Sequence, residues 1–470
     1  MKVLLVNPPA SYGIRCIREG RCEQRAESFQ YLMTPISLPS IASVLLKDDF
    51  DVVIIDCIAV DMSFDQLRQR LGSEKPSFVL VNVATVSFNT DKQVADICKE
   101  LEIPVAAFGV HVTTTPDETL RKTSFDFLIR GEPELIALKL ARCVRDKGNP
   151  GEVLGISFTR KTTIVHNKDA PRQDNLDALP FPARNLLDNQ KYIAPLSHNP
   201  YTLLIASRGC PFNCIYCTAH QYYGKKTRSR STANILAEMR HIASNLGIRN
   251  IAMWSDTFTL NKPFVLELCK KIKESKLDVE WYCNSRVDTV DEEMIREMAA
   301  ANCKVITLGV ESLDQRILDN MRKGTRVEQI KKTIVLCRKY GVKTQAHLIF
   351  GLPGENSDSV SNTIRGIMEA DPDYAEFYCA VPFPGTEFHA MARKHKWLTT
   401  TDYSKFEINQ AIISYPHLSD VDIKSSMRRA YRAFYLRPIY LFRKLKEWPI
   451  WEWPSISKQV LSWAKDWIYK

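Results

Sequence analysis

Residues 202–217, Thr202-Leu-Leu-Ile-Ala-Ser207-Arg-Gly-Cys210-Pro-Phe-Asn-Cys214-Ile-Tyr-Cys217, decide how this chain is read. A short apolar run ending at Ser207 reads as a buried strand. The loop after it sets three thiolates close together, three residues separating the first pair and two the second. A cubane iron-sulfur cluster has four irons, and thiolate is the protein's usual ligand to each, so a three-cysteine loop leaves one iron open to a non-protein ligand. Spacing alone leaves two other readings open. His220, three residues after Cys217, is a possible fourth ligand of a structural zinc ion, and free cysteines also occur as buried, unligated side chains.

The neighbours of the triplet add a resemblance. Arg208-Gly209 before the first cysteine, Tyr216 before the last, and Gly309-Val-Glu-Ser312 downstream resemble the radical S-adenosylmethionine (SAM) superfamily. That resemblance implies a 4Fe-4S cluster on Cys210, Cys214 and Cys217, with SAM chelated at the open iron and cleaved by one electron to methionine and a 5'-deoxyadenosyl radical.

Downstream, apolar runs at Thr202–Ala206, Asn250–Trp254, Val279–Cys283, Val305–Val310, Thr344–Phe350 and Tyr374–Ala380 alternate with helical stretches. Six such units match the open (β/α)6 partial TIM barrel of the superfamily, and α/β barrels carry their chemistry where strands hand over to loops. Those handovers read Ser255-Asp256, Asn284-Ser285-Arg286, Glu311-Ser312 and Gly351-Leu-Pro-Gly354-Glu355. SAM needs a carboxylate for its ammonium, a donor for its carboxylate and acceptors for its ribose, because desolvated charges left unpaired are costly. By resemblance the SAM site takes Tyr216 (against adenine), Asp256, Asn284, Ser285, Arg286, Glu311 and Ser312. The bland readings are a capping role for Asp256 and a surface ion pair for Arg286. His347, on the fifth strand, is either a hydrogen-bonded core imidazole or a group facing the barrel interior.

Upstream, runs at Val3–Val6, Val52–Ile55, Phe78–Val83, Pro104–Phe108 and Phe125–Ile129 alternate with helical segments, the pattern of a five-stranded, doubly wound (Rossmann-like) parallel sheet. The Asn7-Pro-Pro9, Pro35-Ile-Ser-Leu38 and Arg130-Gly-Glu132 segments resemble the cobalamin-binding domain that precedes the barrel in one branch of the superfamily. Ligands on such sheets sit beyond the strands' carboxyl ends, which selects Asn7, Pro8, Thr85, Ser87, Gly109, His111, Gly131 and Glu132 for cobalamin. The Asp-x-His-x-x-Gly pattern of many cobalamin domains is absent. Base-off cobalamin without a histidine below the cobalt is therefore expected, and His111 has a plain hydrogen-bonded reading.

The chain of 470 residues exceeds one core. It divides as 1–149 (cobalamin-binding), 150–200 (a proline-rich connector), 201–390 (barrel) and 391–470 (a helical C-terminal region). Thirteen cysteines without disulfide-like regularity, and no secretion signal at Met1, point to a reducing cytoplasmic setting. From Lys424 to Lys470 eleven basic residues face three acidic ones and include most of the net +10, together with five of the eight tryptophans. Ile456, Val460, Trp463 and Trp467 form one stripe of a helix. No stretch is apolar enough to span a bilayer, so the tail fits a helix on an anionic membrane surface or one packed on protein. Nucleic acid is not expected. Motif arrangement is closest to the branch of the magnesium-protoporphyrin ester oxidative cyclase and hopanoid-modifying enzymes, which implies a hydrophobic or lipid-like substrate and an electron donor such as flavodoxin or ferredoxin. The expected activity is functionalisation of an unactivated C–H bond, by default C-methylation. Radical cyclisation or another carbon-bond formation without methyl transfer is the alternative, and a metal-bearing membrane adaptor the non-enzymatic one.

Overall fold

The computed structural model describes residues 1–10, 13–19, 24–25, 32–194 and 199–447. The expected stripe at Ile456, Val460, Trp463 and Trp467 lies outside them.

Strands β1 (Lys2–Asn7), β2 (Asp51–Asp56), β3 (Phe78–Asn82), β4 (Val105–Phe108) and β5 (Phe127–Ile129) form a parallel sheet in the order β2-β1-β3-β4-β5. Alternation along β1 explains why helices cover both faces. Val3 and Leu5 enter one core with Leu38, Ile41 and Leu45 of α1 (Ser37–Leu46) and Ile136, Ala137 and Leu140 of α6 (Pro133–Arg145). Leu4 and Val6 enter the opposite core with Leu67 and Leu71 of α2 (Phe64–Glu74) and Val94 and Ile97 of α3 (Phe88–Glu100). Between β4 and β5 lie two short helices, α4 (Val110–Thr114) and α5 (Pro116–Lys122).

The sheet is longer than the five strands expected. The hairpin β6 (Ile156–Arg160) and β7 (Thr163–His166), read from sequence as part of the connector, pairs antiparallel with β5 and extends the sheet to seven strands. Its buried residues, Ile156 and Phe158, join the α1/α6 core, which supplies the reason.

The second sheet runs in sequence order: β8 (Tyr201–Leu204), β9 (Asn250–Met253), β10 (Glu280–Ser285), β11 (Cys303–Glu311), β12 (Lys343–Phe350) and β13 (Tyr374–Cys379), every neighbour parallel. Alternate residues such as Ile306, Leu308, Ala346, Leu348, Ala375 and Phe377 face the outer helices α8 (Thr232–Leu246), α9 (Lys262–Ser275), α10 (Glu292–Ala300), α12 (Val327–Lys339), and α13 (Ser357–Ala370) in one continuous core. The intervening positions, Tyr282, Asn284, Thr307, Gly309, Gln345, His347, Glu376 and Tyr378, point into the lumen. Helix α15 (Asp420–Tyr435), started by a Ser419/Asp422 capping box, lays Met427, Tyr431 and Phe434 over β13. Helix α16 (Pro438–Glu447) follows. Among the described residues no helix is long and apolar enough to cross a membrane.

Candidate active site

The three-cysteine loop leaves the end of β8 through Ser207-Arg208-Gly209. Gly209 has φ +87°, and a Cβ there would collide with the Lys226 carbonyl, so only glycine fits. Its N–H donates to Asp256 Oδ2 at 2.7 Å, and Ser207 N–H donates to Ser255 Oγ at 3.1 Å. The Asp256 carboxylate therefore braces the loop from the end of β9. Cys210 is buried, its Sγ 3.8 Å from Thr257 Oγ1, while Cys214 and Cys217 are half-exposed, with Cys217 N–H donating to the Cys214 carbonyl at 3.3 Å. Among the described residues no three His, Cys, Asp or Glu side chains already converge on a metal-holding point, with or without His220. The donor set nonetheless fits the cluster: three reduced cysteines on one loop, and a cation beside them. Arg286 Nη1 lies 3.9 Å from Cys214 Sγ, and its guanidinium stacks 3.6 Å from the Phe212 ring within the loop. A positive charge thus stands beside the sulfurs that would hold the cluster.

Arg286 is thus not a surface ion pair. It is buried and committed to Asp288 at 2.7 Å and to the Lys323 carbonyl. Of the residues expected at SAM, Glu311 and Tyr216 converge. Glu311 ends β11 with φ +65°, a conformation that costs a non-glycine residue energy and that clusters at functional positions. Its Oε1 accepts from the Tyr216 hydroxyl at 2.9 Å and from Lys323 Nζ at 2.7 Å, all three side chains being largely buried. Tyr216 therefore meets Glu311 directly, and burial beside that carboxylate raises its phenol well above the usual tyrosine range. Asn284 donates to the Ser255 carbonyl at 2.9 Å from the lumen face.

Ser285 and Ser312 do not join this group. As the alternate residues at their strand ends they face outward: Ser285 bonds Thr259 and the Arg286 carbonyl, and Ser312 shares a 2.9 Å contact with Thr363 of α13. Lys323 is the residue that sequence reasoning missed. It follows the short helix α11 (Gln315–Asn320) in a Lys-Gly pair that no strand-end rule selects.

A cleft of about 670 Å³ runs between the carboxyl ends of the two sheets, lined on one side by Asn82, Gly109 and Val110 and on the other by Ser207, Trp254 and Asp256, with Arg18, Glu19 and Ser37 also contributing. An adjoining hollow of about 350 Å³ is lined by Asn7, Asp56, Arg18 and Glu19. Polar donors at strand carboxyl ends facing the barrel mouth fit a large polar ligand such as cobalamin. Of the residues read from sequence, Gly109 and Asn7 line these spaces, and the Pro8 carbonyl is bonded by Arg18 at 3.1 Å. Arg18 was not foreseen. It is buried across the ends of β1 and β3, paired with Asp91 at 2.6 Å and donating to Asn7 at 3.2 Å. Glu19, also unforeseen, accepts from Ser37 N–H and Oγ at the start of α1, at 3.0 and 2.8 Å; burial nevertheless pushes its carboxyl up to about 7.

The remaining cobalamin residues stand elsewhere. His111 is fully buried on α4, its ring against Phe88 and Tyr403 at 4.4 and 4.9 Å and its Nδ1 3.3 Å from Thr85 Oγ1. Burial drives its pKa down to about 3, so the imidazole is neutral, and it does not line the cleft. Ser87 donates to Asp91 at 2.6 Å. Gly131, φ +80°, donates to Thr113 Oγ1 at 3.1 Å. Glu132 joins the two sheets together: it accepts from Arg208 at 3.3 Å and from Arg228, while Glu134 takes the other side of Arg208. All four are buried, so the Glu132 carboxylate is spent on the segment that leads into Cys210.

Comparison with known proteins agrees with this geometry. Residues 204–367 match the radical SAM superfamily model and residues 25–141 the B12 binding domain model. The chain is 30% identical over 450 residues to an uncharacterized methyltransferase of Pyrococcus horikoshii, covering 95% of both. It is 25% identical over 410 residues to the anaerobic magnesium-protoporphyrin IX monomethyl ester cyclase of Rubrivivax gelatinosus, covering 84% of this chain and 73% of that one. The fold is shared with the radical SAM methyltransferase TsrM of Kitasatospora setae, at TM-score 0.70, 19% identity, and 85% and 77% coverage. A 4Fe-4S cluster, SAM and cobalamin are accordingly the cofactors. The chain belongs to the radical SAM superfamily, among the enzymes that carry a B12-binding domain ahead of the radical SAM domain.

Proposed function

We propose that the enzyme C-methylates an unactivated carbon of a hydrophobic substrate. The observation that carries this reading is a shared cleft onto which both sheets open: Gly109 and Asn82 from the B12-binding side face Asp256, Ser207 and Trp254 from the radical SAM side. When bound, the cofactors supply a 5'-deoxyadenosyl radical that removes a hydrogen atom and a methyl group that replaces it; the protein binds, orients and excludes water. Cys210, Cys214 and Cys217 hold the cluster, with Arg286 beside them. Glu311, with Lys323 and Tyr216, receives the polar end of SAM, and Asp256 fixes the cysteine loop. On this reading residues 1–149 bind cobalamin, 150–200 connect, 201–390 form the radical SAM barrel and 391–470 are the C-terminal region, of which α15 packs against β13.

The test is product analysis after anaerobic reconstitution. Methylation yields S-adenosylhomocysteine and 5'-deoxyadenosine together; 5'-deoxyadenosine alone removes methyl transfer and favours radical cyclisation, which the likeness to the cyclase supports as the second reading. The electron comes from a low-potential donor such as flavodoxin or ferredoxin. Peripheral membrane contact has support in α16, whose Ile439 and Phe442 are 80% and 61% exposed on a segment rich in Arg and Lys. Co-sedimentation with phosphatidylglycerol vesicles, lost in Ile439→Ser/Phe442→Ser, tests that contact.

A further inference from the structure

The lumen of the barrel contains a buried acid that neither cofactor reading uses. Glu376 of β13 lies on the inward face, opposite His347 of β12 in register. Its carboxylate accepts from Gln345 Nε2 and from the Tyr378 hydroxyl, and its Oε2 is 3.7 Å from His347 Nε2. Gln345 is itself oriented by Thr307, whose hydroxyl donates to Gln345 Oε1 at 3.2 Å. The Tyr378 ring stands edge-on to His347 at 5.3 Å. Three strand residues thus converge on one carboxylate, and among the described residues no Lys or Arg pairs with it.

That is an expensive arrangement. A buried carboxylate is normally held by a cation, because neutral donors replace only part of its hydration. Here burial pushes the Glu376 carboxyl up to about 7, with the Gln345 hydrogen bond opposing the shift. The network is also not sealed: the His347 side chain is 33% exposed, and Ile349 and Tyr378 beside it are partly open to the same lumen. It lies next to the SAM-side group. Gly309 is the register partner of His347, and Glu311 stands opposite Leu348, one residue nearer the strand end. On one side the wall is apolar, with Tyr378 against Val381, Phe383 and Phe406.

We propose that Glu376, oriented by Gln345 and Tyr378 and flanked by His347, is the polar anchor of the substrate, receiving an ammonium or hydroxyl group of an otherwise apolar molecule and so fixing which C–H bond faces SAM. The proposal rests on reading the barrel lumen as the substrate chamber. It narrows the substrate class from hydrophobic to amphipathic with a hydrogen-bond donor. A cation arriving at Glu376 supplies the charge that the protein withholds, and a hydroxyl supplies a donor to an acceptor already aimed at it. Of the two readings that the sequence leaves open for His347, the proposal takes the one that faces the barrel interior, as part of the chamber wall.

Binding of three small probes to the full-length, reconstituted, SAM-loaded enzyme tests this without turnover: 2-phenylethylamine, 2-phenylethanol and ethylbenzene, measured by calorimetry. The wild type is expected to bind at least one of the first two ten-fold or more tightly than ethylbenzene, the amine leading if the partner is an ammonium and the alcohol if it is a hydroxyl. Glu376→Gln, and independently His347→Phe combined with Tyr378→Phe, should shrink that preference to three-fold or less while ethylbenzene affinity stays the same. Equal binding of all three probes to the wild type, or a preference that survives in both variants with wild-type iron content, overturns the assignment. Because no methyl group moves in the assay, failure of the methylation reading, seen as missing S-adenosylhomocysteine, is a separate result.

Discussion

Removal of the Glu132 carboxylate should uncouple the two halves of the molecule at the point where the cysteine loop begins. Glu132 bonds both Arg208 and Arg228, all of them buried, and Arg208 lies two residues before Cys210. In Glu132→Ala, Arg208 keeps Glu134, but Arg228 retains only the Gln173 and Tyr223 carbonyls, at 2.8 and 2.9 Å. Leaving a buried charge without its counter-ion costs about 3–5 kcal/mol. With a slope of about 4 kcal/mol/M in guanidinium chloride, this lowers the unfolding midpoint by about 1 M. Glu134→Ala should cost less, about 1–3 kcal/mol, because Arg208 still holds Glu132. The assay is a denaturant melt followed by tryptophan fluorescence, paired with iron content after reconstitution; Glu132→Ala should also lose iron. A Glu132→Ala midpoint equal to wild type, or a larger loss in Glu134→Ala, refutes the idea that this carboxylate ties the sheets together.

Other consequences follow from the same geometry. Alanine at Cys210, Cys214 or Cys217 should abolish cluster assembly, whereas Cys98→Ala, a buried thiol on α3, should keep full iron content by chemical analysis. Gly209→Ala places a Cβ against the Lys226 carbonyl at φ +87° and should cost a few kcal/mol of stability and most of the bound iron. Gly309→Ala brings a Cβ to 2.8 Å from both Glu311 Oε1 and Lys323 Nζ; the ion pair must move, and SAM cleavage should fall at least ten-fold with iron content intact. His111, neutral in the fold with its pKa held down to about 3 by burial, gains its proton only on unfolding. The unfolded chain then binds more protons below about pH 6.5, so stability falls by about 1.4 kcal/mol per pH unit as pH drops from there toward 3. His111→Leu should remove that slope from acid unfolding curves.

The positions of the strands and helices were legible because apolar runs of strand length alternate with helical segments throughout, and the cysteine triplet marks one strand end without any help from tertiary structure. The hairpin at 156–166 was read as part of the connector, and its place in the sheet was not legible: antiparallel addition to β5 depends on Ile156 and Phe158 reaching a core built by distant helices. Strand-end logic selected Glu311, Asp256 and Gly109, which lie at the lumen or the cleft, and also Ser285 and Ser312, whose hydroxyls one residue of alternation turns from the lumen to the helices. Glu132 was chosen as a ligand contact, but its buried counter-charges, Arg208 and Arg228, come from a remote segment that no local pattern discloses, whereas Arg286 pairs with Asp288 only two residues on. Lys323, Arg18 and Glu19 sit in loops among ordinary charged residues. Only the folded chain brings Lys323 to Glu311, Arg18 to Asp91 and Glu19 to the start of α1.

The account turns on a three-thiolate cluster whose open iron takes SAM directly. The most direct measurement is electron paramagnetic resonance of the anaerobically reconstituted, dithionite-reduced protein, recorded before and after SAM is added. The account predicts a reduced 4Fe-4S signal whose g values shift on addition of SAM and which vanishes in Cys214→Ala. A signal indifferent to SAM, or a protein that takes up zinc and stays silent after reduction, contradicts it.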